Sequence, residues 1–443
     1  WLERCVDNAE VPGSNPGWPT IKSTSVGFFC AFFWTLYTIG MSKDYDKNLE
    51  AFDRSDLSFE QETVINHLKE YINASLKGDQ HHVAIIEGAA GTGKSVILTK
   101  LFKEIRDGKA DPKSPYYGLK TAFTVNHPEL LKVYQDMGAK YSNIYKKDYQ
   151  RPTSIINSLD KKMEELDVLF IDEGHLLLTK PEPYIKFKQN NQLAELIRLS
   201  KIVVVVFDFA QVIQSKMFWD QKLLDSVVKN VAHQTFHLDF QYRMQASPQV
   251  KNWIDHFAKG ILRLLPPRSE RNGYDLEIFS RAADLFEKLK QVDKKMGMAR
   301  VVSTTGFHHD EDGKHHVVMD DFDQPWDEYD PQELTWAKRP ESINEVGSIY
   351  TVQGFDLNLV GLLLSPAYEY DEKHDRIWVN PDKVIHREIY KKSPHLTDPK
   401  AIAKAKQDFM LNALNILAKR GHYGLYIAAA DPALSKRLQE LAK

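Results

Sequence analysis

A lysine and a serine closing a glycine-spaced turn can neutralise and chelate a polyphosphate, and residues 82–95, HVAIIEGAAGTGKS, close in that way. Gly88, Gly93, Lys94 and Ser95 fill every fixed position of G-x-x-x-x-G-K-[ST], with Ala89, Ala90, Gly91 and Thr92 between them. In such a turn the backbone N–H groups from Ala89 to Ser95 would cradle the phosphates of a nucleotide. Lys94 would neutralise the β/γ oxygens, and the Ser95 hydroxyl would ligate Mg2+. A second group of reactive residue types stands in DVLFIDEGH, Asp167 to His175. Asp172, at the end of a buried apolar strand, would reach the Mg2+ shell, and Glu173 would polarise an attacking water, the division of labour that phosphate hydrolysis needs. The apolar residues 168–171 before the pair argue against an exposed acidic surface. His175 would either couple nucleotide state to its surroundings or cap a loop.

These residues need elements to hold them. Apolar runs at Val83–Ile86, Thr121–Val125, Val168–Ile171 and Ile202–Phe207 alternate with helical patterns, among them SVILTKLFKEI directly after the glycine turn. That alternation predicts an α/β fold with a parallel sheet wrapped by helices, its ligand beyond the carboxyl ends of the strands. A second set of strands is expected at Arg300–Thr304, His316–Met319, Gly347–Tyr350, Val360–Leu364 and Gly424–Ala428. With 443 residues and an ordinary hydrophobic fraction of 42%, the chain can bury two or three cores. The absence of a Gly/Ser-rich linker predicts two apposed lobes, residues 41–235 and 236–443.

Composition narrows the chemistry. A net charge of -3 gives no global basic field, so a nucleic-acid partner would need a local patch. Cys5 and Cys30 are the chain's two cysteines, which excludes disulfide staples and cysteine-ligated metal from the main body and fits a reducing, cytoplasmic setting. No structural metal is expected. Residues 1–40 differ from the rest in their turn-rich VPGSNPGWP and a short uncharged apolar run. They are read as an extension outside the domains, upstream of a natural start at Met41, with a membrane anchor or a packed helix as alternatives; Glu3, Asp7 and Glu10 fit a secretory signal poorly.

The glycine loop, the DEGH box, FDFAQ, FQYRM, GSIYTVQGFD and LAKRG follow one another in the order of the superfamily 1 helicase motifs. From about residue 57 to 443 the chain most resembles the Schlafen group 3 DNA/RNA helicase-like domain, a P-loop NTPase family. The resemblance implies two RecA-like lobes with ATP and Mg2+ in the cleft between them. It assigns Gln61 to an adenine contact and Asp208 and Gln211 to sensing the γ-phosphate. Arg243 and Arg420 would reach the γ-phosphate from across the cleft, where a guanidinium stabilises transition-state charge; alone, each arginine has a surface ion pair as its lesser alternative. Gln353 and Gly354 would form a turn near nucleotide and nucleic acid, and Asp356 would approach the ribose or an arginine. Two departures stand out: Phe207 where the wider superfamily has glycine, and Lys419 where the family has threonine.

Weaker signals concern partners. KYSNIYKKDYQR, Lys140 to Arg151, interleaves Tyr141, Tyr145 and Tyr149 with Lys140, Lys146, Lys147 and Arg151, which would suit a single strand of DNA or RNA. The same tyrosine spacing is also one core-facing side of a helix. In TVNHPELL, the resemblance makes Asn126 and His127 strand-backbone contacts. FHHDEDGKHH offers His308, His309, His315 and His316 to a metal, but Asp312-Gly313 reads better as a hairpin turn, and the acidic run 320–330 as a solvated loop. The implied function is an ATP-dependent helicase or translocase. An ATP-gated switch acting on a protein partner, and less readily a P-loop kinase, are the alternatives.

Overall fold

The computed structural model describes residues 57–307, 315–327, 336–352, 355–385, 387–390 and 392–443. The expectations for residues 1–40 and Met41, for His308, His309 and Asp312-Gly313, and for Gln353 and Gly354 lie outside the described residues.

The first sheet is built from β1 (His82–Gly88), β2 (Thr121–Val125), β3 (Tyr149–Gln150), β4 (Leu166–Asp172), β5 (Ser200–Phe207) and β6 (Ala232–Leu238). They lie in the order β3-β2-β4-β5-β1-β6, all parallel. Helices α1 (Phe59–Ser75), α2 (Lys94–Gly108), α3 (Pro128–Gly138), α4 (Pro152–Lys162), α5 (Gln192–Arg198) and α6 (Gln221–Val228) connect and cover them. The central strands are apolar on both faces because both are covered: in β5, IVVVVF is buried throughout. β6 runs across the expected 235/236 boundary.

After α7 (Pro248–Phe257) come β7 (Asp275–Ile278), α8 (Ala282–Met296) and β8 (Ala299–Ser303), then β9 (His316–Met319), β10 (Phe322–Pro325), β11 (Val346–Gly347), α9 (Ile349–Val352) and β12 (Leu357–Leu364). The chain closes with β13 (Tyr368–Asp371), β14 (Arg376–Val379), α10 (Pro399–Ala418), β15 (Gly421–Ala429) and α11 (Pro432–Leu441). The second sheet is parallel, ordered β11-β8-β12-β15-β7, while β9–β10 and β13–β14 form separate antiparallel pairs. The fold is thus α/β, with two parallel sheets flanked by helices.

Three expectations change. His316–Met319 is a strand, but it pairs with β10 rather than with the main sheet. Part of the supposed acidic loop is that same β10, with Phe322 buried. Gly347–Tyr350 splits into β11 and α9, because the Ser348 hydroxyl accepts from the Tyr350 N–H at 3.0 Å and the Thr351 hydroxyl from the Ser348 N–H at 2.9 Å. Such local bonds offer the backbone an alternative to a ladder. Among the described residues no helix is long and apolar enough to cross a membrane.

Candidate functional site

β1 delivers the chain to the 88–95 loop, where Gly91 and Gly93 have φ of +85° and +89°. Gly93 is the N-cap of α2, and a Cβ there would lie 2.2 Å from Gln61 Nε2. The loop therefore demands glycine for both its dihedral and its neighbour. Gln61 is buried, and its amide is engaged at both ends: Oε1 accepts from the Ser58 N–H at 3.1 Å, and Nε2 donates to the Thr92 carbonyl at 3.1 Å. It ties the start of α1 to the loop.

Lys94 is buried and donates from Nζ to the carbonyl oxygens of Gly88 at 2.6 Å and Ala89 at 2.9 Å, with Asp208 Oδ2 3.5 Å away. At the end of β4, Asp172 is fully buried, and its Oδ1 accepts from the Ser95 hydroxyl at 3.1 Å. Its Oδ2 accepts from the Tyr134 hydroxyl of α3. Glu173 follows in a left-handed conformation with φ of 50°. Glu173 Oε2 lies 3.3 Å from His175 Nε2. Burial and the Glu173 charge raise the Asp172 carboxyl to about 6. Burial also raises Glu173, against the pull of Lys94, Arg420 and Arg243. His175 is pushed down to about 4, chiefly by burial, and is neutral at physiological pH.

The end of β5 supplies Asp208, whose Oδ2 accepts from Gln211 Nε2 at 2.8 Å. Gln211 is buried and its Oε1 has no hydrogen-bond partner. α10 lies over this turn: Asn412 Nδ2 donates to the Val212 carbonyl at 2.8 Å, and Asn415 Nδ2 to that of Ala210 at 3.3 Å. Immediately beyond α10, Arg420 is 2% exposed, held by a bond from Nη1 to the Phe355 carbonyl at 3.1 Å, with its Nε unbonded. Burial and the neighbouring Arg243 guanidinium lower its pKa, while Asp356, Glu173 and Asp208 favour its charge. Arg243 reaches the loop from the other side: the Tyr242 N–H donates to the Gly91 carbonyl at 2.8 Å, and Arg243 Nε pairs with Asp356 Oδ1 at 2.5 Å.

Lys94, Ser95, Asp172, Glu173, Asp208, Gln211, Arg243, Asp356 and Arg420 thus come together beyond the carboxyl ends of β1, β4 and β5. Of the two expectations for Asp356, the arginine is the contact made. Both departures have local partners: Lys419 pairs with Asp255 of α7 at 2.7 Å, and Phe207 packs edge-on against Trp219. Asn126 and His127 are engaged internally. Asn126 Nδ2 donates to the Leu176 carbonyl at 2.7 Å; His127 caps α3 through Nδ1 and hydrogen-bonds to the Tyr350 backbone. The tyrosine-rich stretch divides: Tyr149 is core, while Tyr145 is exposed beneath Lys147 Nζ, 5.4 Å from its ring. His315 abuts Trp326 and His316 pairs with Asp323 at 2.6 Å.

Residues 81–431 match the Schlafen group 3 DNA/RNA helicase domain. The chain belongs to that family. The uncharacterized protein YPL245W of Saccharomyces cerevisiae is 34% identical over 419 residues, 87% of this chain and 91% of that protein. Among solved structures, this Schlafen group 3 chain is similar to the Pif1 helicase from Candida albicans, with TM-score 0.34 and 13% identity over 87% of this chain and 100% of the other. Domain III of the Thermotoga maritima replication initiation protein DnaA gives TM-score 0.26 and 14% identity, over 57% of this chain and 91% of that one. The family assignment stands on the family match and the yeast relative.

Two residues of the site carried no sequence signal of their own. Tyr134 stands two helical turns after His127, a spacing that places both on one side of α3 but names no partner. Tyr242 was legible only as a neighbour of Arg243.

Proposed function

We propose that this chain is a Mg2+-dependent ATP hydrolase in which closure of two lobes, residues 41–235 and 236–443, drives movement on or remodelling of DNA or RNA. The observation that carries the reading is that Arg243, whose Cβ lies against Gly91 of the loop, and Arg420 hold adjacent residues, Asp356 and the Phe355 carbonyl, so that two guanidiniums meet beside the loop that carries Lys94. Cations brought together by segments so distant in sequence suit a ligand with several negative charges. The chain also holds a buried donor ready for such a ligand, Arg420 Nε, and a buried acceptor ready for a water, Gln211 Oε1. A divalent cation would be held by the Ser95 hydroxyl and Asp172, and when bound it supplies charge neutralisation at the phosphate oxygens. The 88–95 loop binds the phosphates through its N–H groups, and Lys94 adds positive charge. Glu173 takes the proton of the attacking water, and Gln211 orients that water. Arg243 and Arg420 stabilise charge as it develops on the transferring group.

The test is the ATP hydrolysis rate of the purified chain alone and with single-stranded DNA, single-stranded RNA and duplexes of each. Stimulation by a single strand is expected. Hydrolysis indifferent to every nucleic acid would replace the reading with an ATP-gated switch, and no hydrolysis under any condition would remove it.

A further inference from the structure

Asp172 is fully buried, yet three donors converge on its carboxylate: the Ser95 hydroxyl at Oδ1, the Tyr134 hydroxyl at Oδ2 and the backbone N–H of Glu173. The first and third belong to the motifs that build the site. Tyr134 comes from elsewhere, the middle of α3, and nothing in the loop or the DEGH box requires it. Its ring is fixed by packing: it lies 4.6 Å from the Phe123 ring and stacks on Tyr149 at 6.0 Å with 8° between planes. The surrounding cluster includes Phe102, Phe123 and Phe170, an environment that phenylalanine would suit as well as tyrosine. The hydroxyl therefore serves the Asp172–Ser95 pair: it donates to Asp172 and also hydrogen-bonds with the Ser95 side chain.

We propose that Tyr134 is the positioning residue of the cation site: its hydroxyl pins the free edge of the Asp172 carboxylate, so that the other edge and the Ser95 hydroxyl present a preset pair of oxygens to Mg2+. This rests on the nucleotide-binding reading above. A hydroxyl donating to a carboxylate makes a strong, charge-assisted bond. It favours the ionised form, which burial and the adjacent Glu173 oppose, and it stops the carboxylate rotating about its last bond. Residues that orient a metal ligand without touching the metal change metal affinity about 10- to 100-fold when removed.

The experiment is a Mn2+ titration of the whole chain with ADP, read by the loss of the free-Mn2+ signal in electron paramagnetic resonance. Tyr134→Phe should raise the Mn2+ dissociation constant of the ADP complex about tenfold. ADP affinity measured in EDTA should not change, since Tyr134 faces the carboxylate and not the loop. Tyr134→Leu, which also lacks the hydroxyl, should shift the titration in the same direction. Tyr149→Phe removes a neighbouring buried hydroxyl that has no hydrogen-bond partner, so it should titrate like the parent. A Tyr134→Phe titration superimposable on the parent's overturns the positioning role while leaving nucleotide binding intact. A parental chain that retains no Mn2+ with ADP overturns the role together with the reading beneath it.

Discussion

In the proposed ATP hydrolase Lys94 and Glu173 answer to different parts of the nucleotide, and their removal should separate binding from turnover. Lys94→Ala deletes the charge beside the phosphates and should weaken nucleotide binding in a fluorescent-analogue titration. Glu173→Gln keeps the loop and Asp172 but loses the proton acceptor, so binding should persist while kcat falls about 10²–10⁴-fold. Equal losses of affinity would exclude these roles. The two arginines should also differ from one another. Arg243 is half-buried and paired with Asp356, so Arg243→Ala should cut turnover with little change in Tm. Arg420 is 2% exposed and bonded to the Phe355 carbonyl, so Arg420→Ala should cut turnover and lower Tm as well, because a buried acceptor is left unmet at about 1–3 kcal/mol. Identical melting of the two variants would contradict that distinction. Lys94, Ser95, Asp172 and Glu173 were legible in the sequence because each motif lies on one continuous strand-to-loop segment. Gln61 was legible as a position but not in its contacts: the structure engages its amide with Ser58 and Thr92, a use that depends on α1 lying against the loop.

At the scale of elements, the 88–95 loop and α1 form one unit through Gln61. Gly93→Ala should disturb both, since its φ of +89° costs an L-residue about 1–2 kcal/mol and its Cβ would displace the Gln61 amide. Urea unfolding should show the loss, and nucleotide titration a weakened site; a variant matching the parent in both would mean the loop relaxes freely. Strands with long apolar runs, such as β4, β5 and β12, announced themselves. β6 did not: AHQTFHL exposes most of its side chains and has no buried-strand pattern, although it pairs with β1 along seven residues. β3 and β7 are too short for periodicity to register.

Across the whole molecule, one buried apolar cluster runs from α1 and one face of the first sheet, through Val250, Trp253 and Ile254 of α7, to Leu362 and Leu425 of the second. Unfolding should therefore be a single cooperative event, with far-UV dichroism and tryptophan fluorescence following one urea curve. Two separated transitions would show that the sheets are independent. Motif order predicts that residues of both halves meet, and Arg243, Asp356 and Arg420 do lie together beside the 88–95 loop; it could not foretell how tightly the halves are joined, since Asn412 and Asn415 read as ordinary helix residues until α10 is seen across the Gln211 turn. A last consequence belongs to α3. Its cap, His127, is fastened to the Tyr350 backbone beside the second sheet, and Tyr134, seven residues on and about 10 Å along the axis, is fastened to Asp172. A helix held at its cap and again at its middle is a rigid link between the Tyr350 backbone and the Asp172 carboxylate.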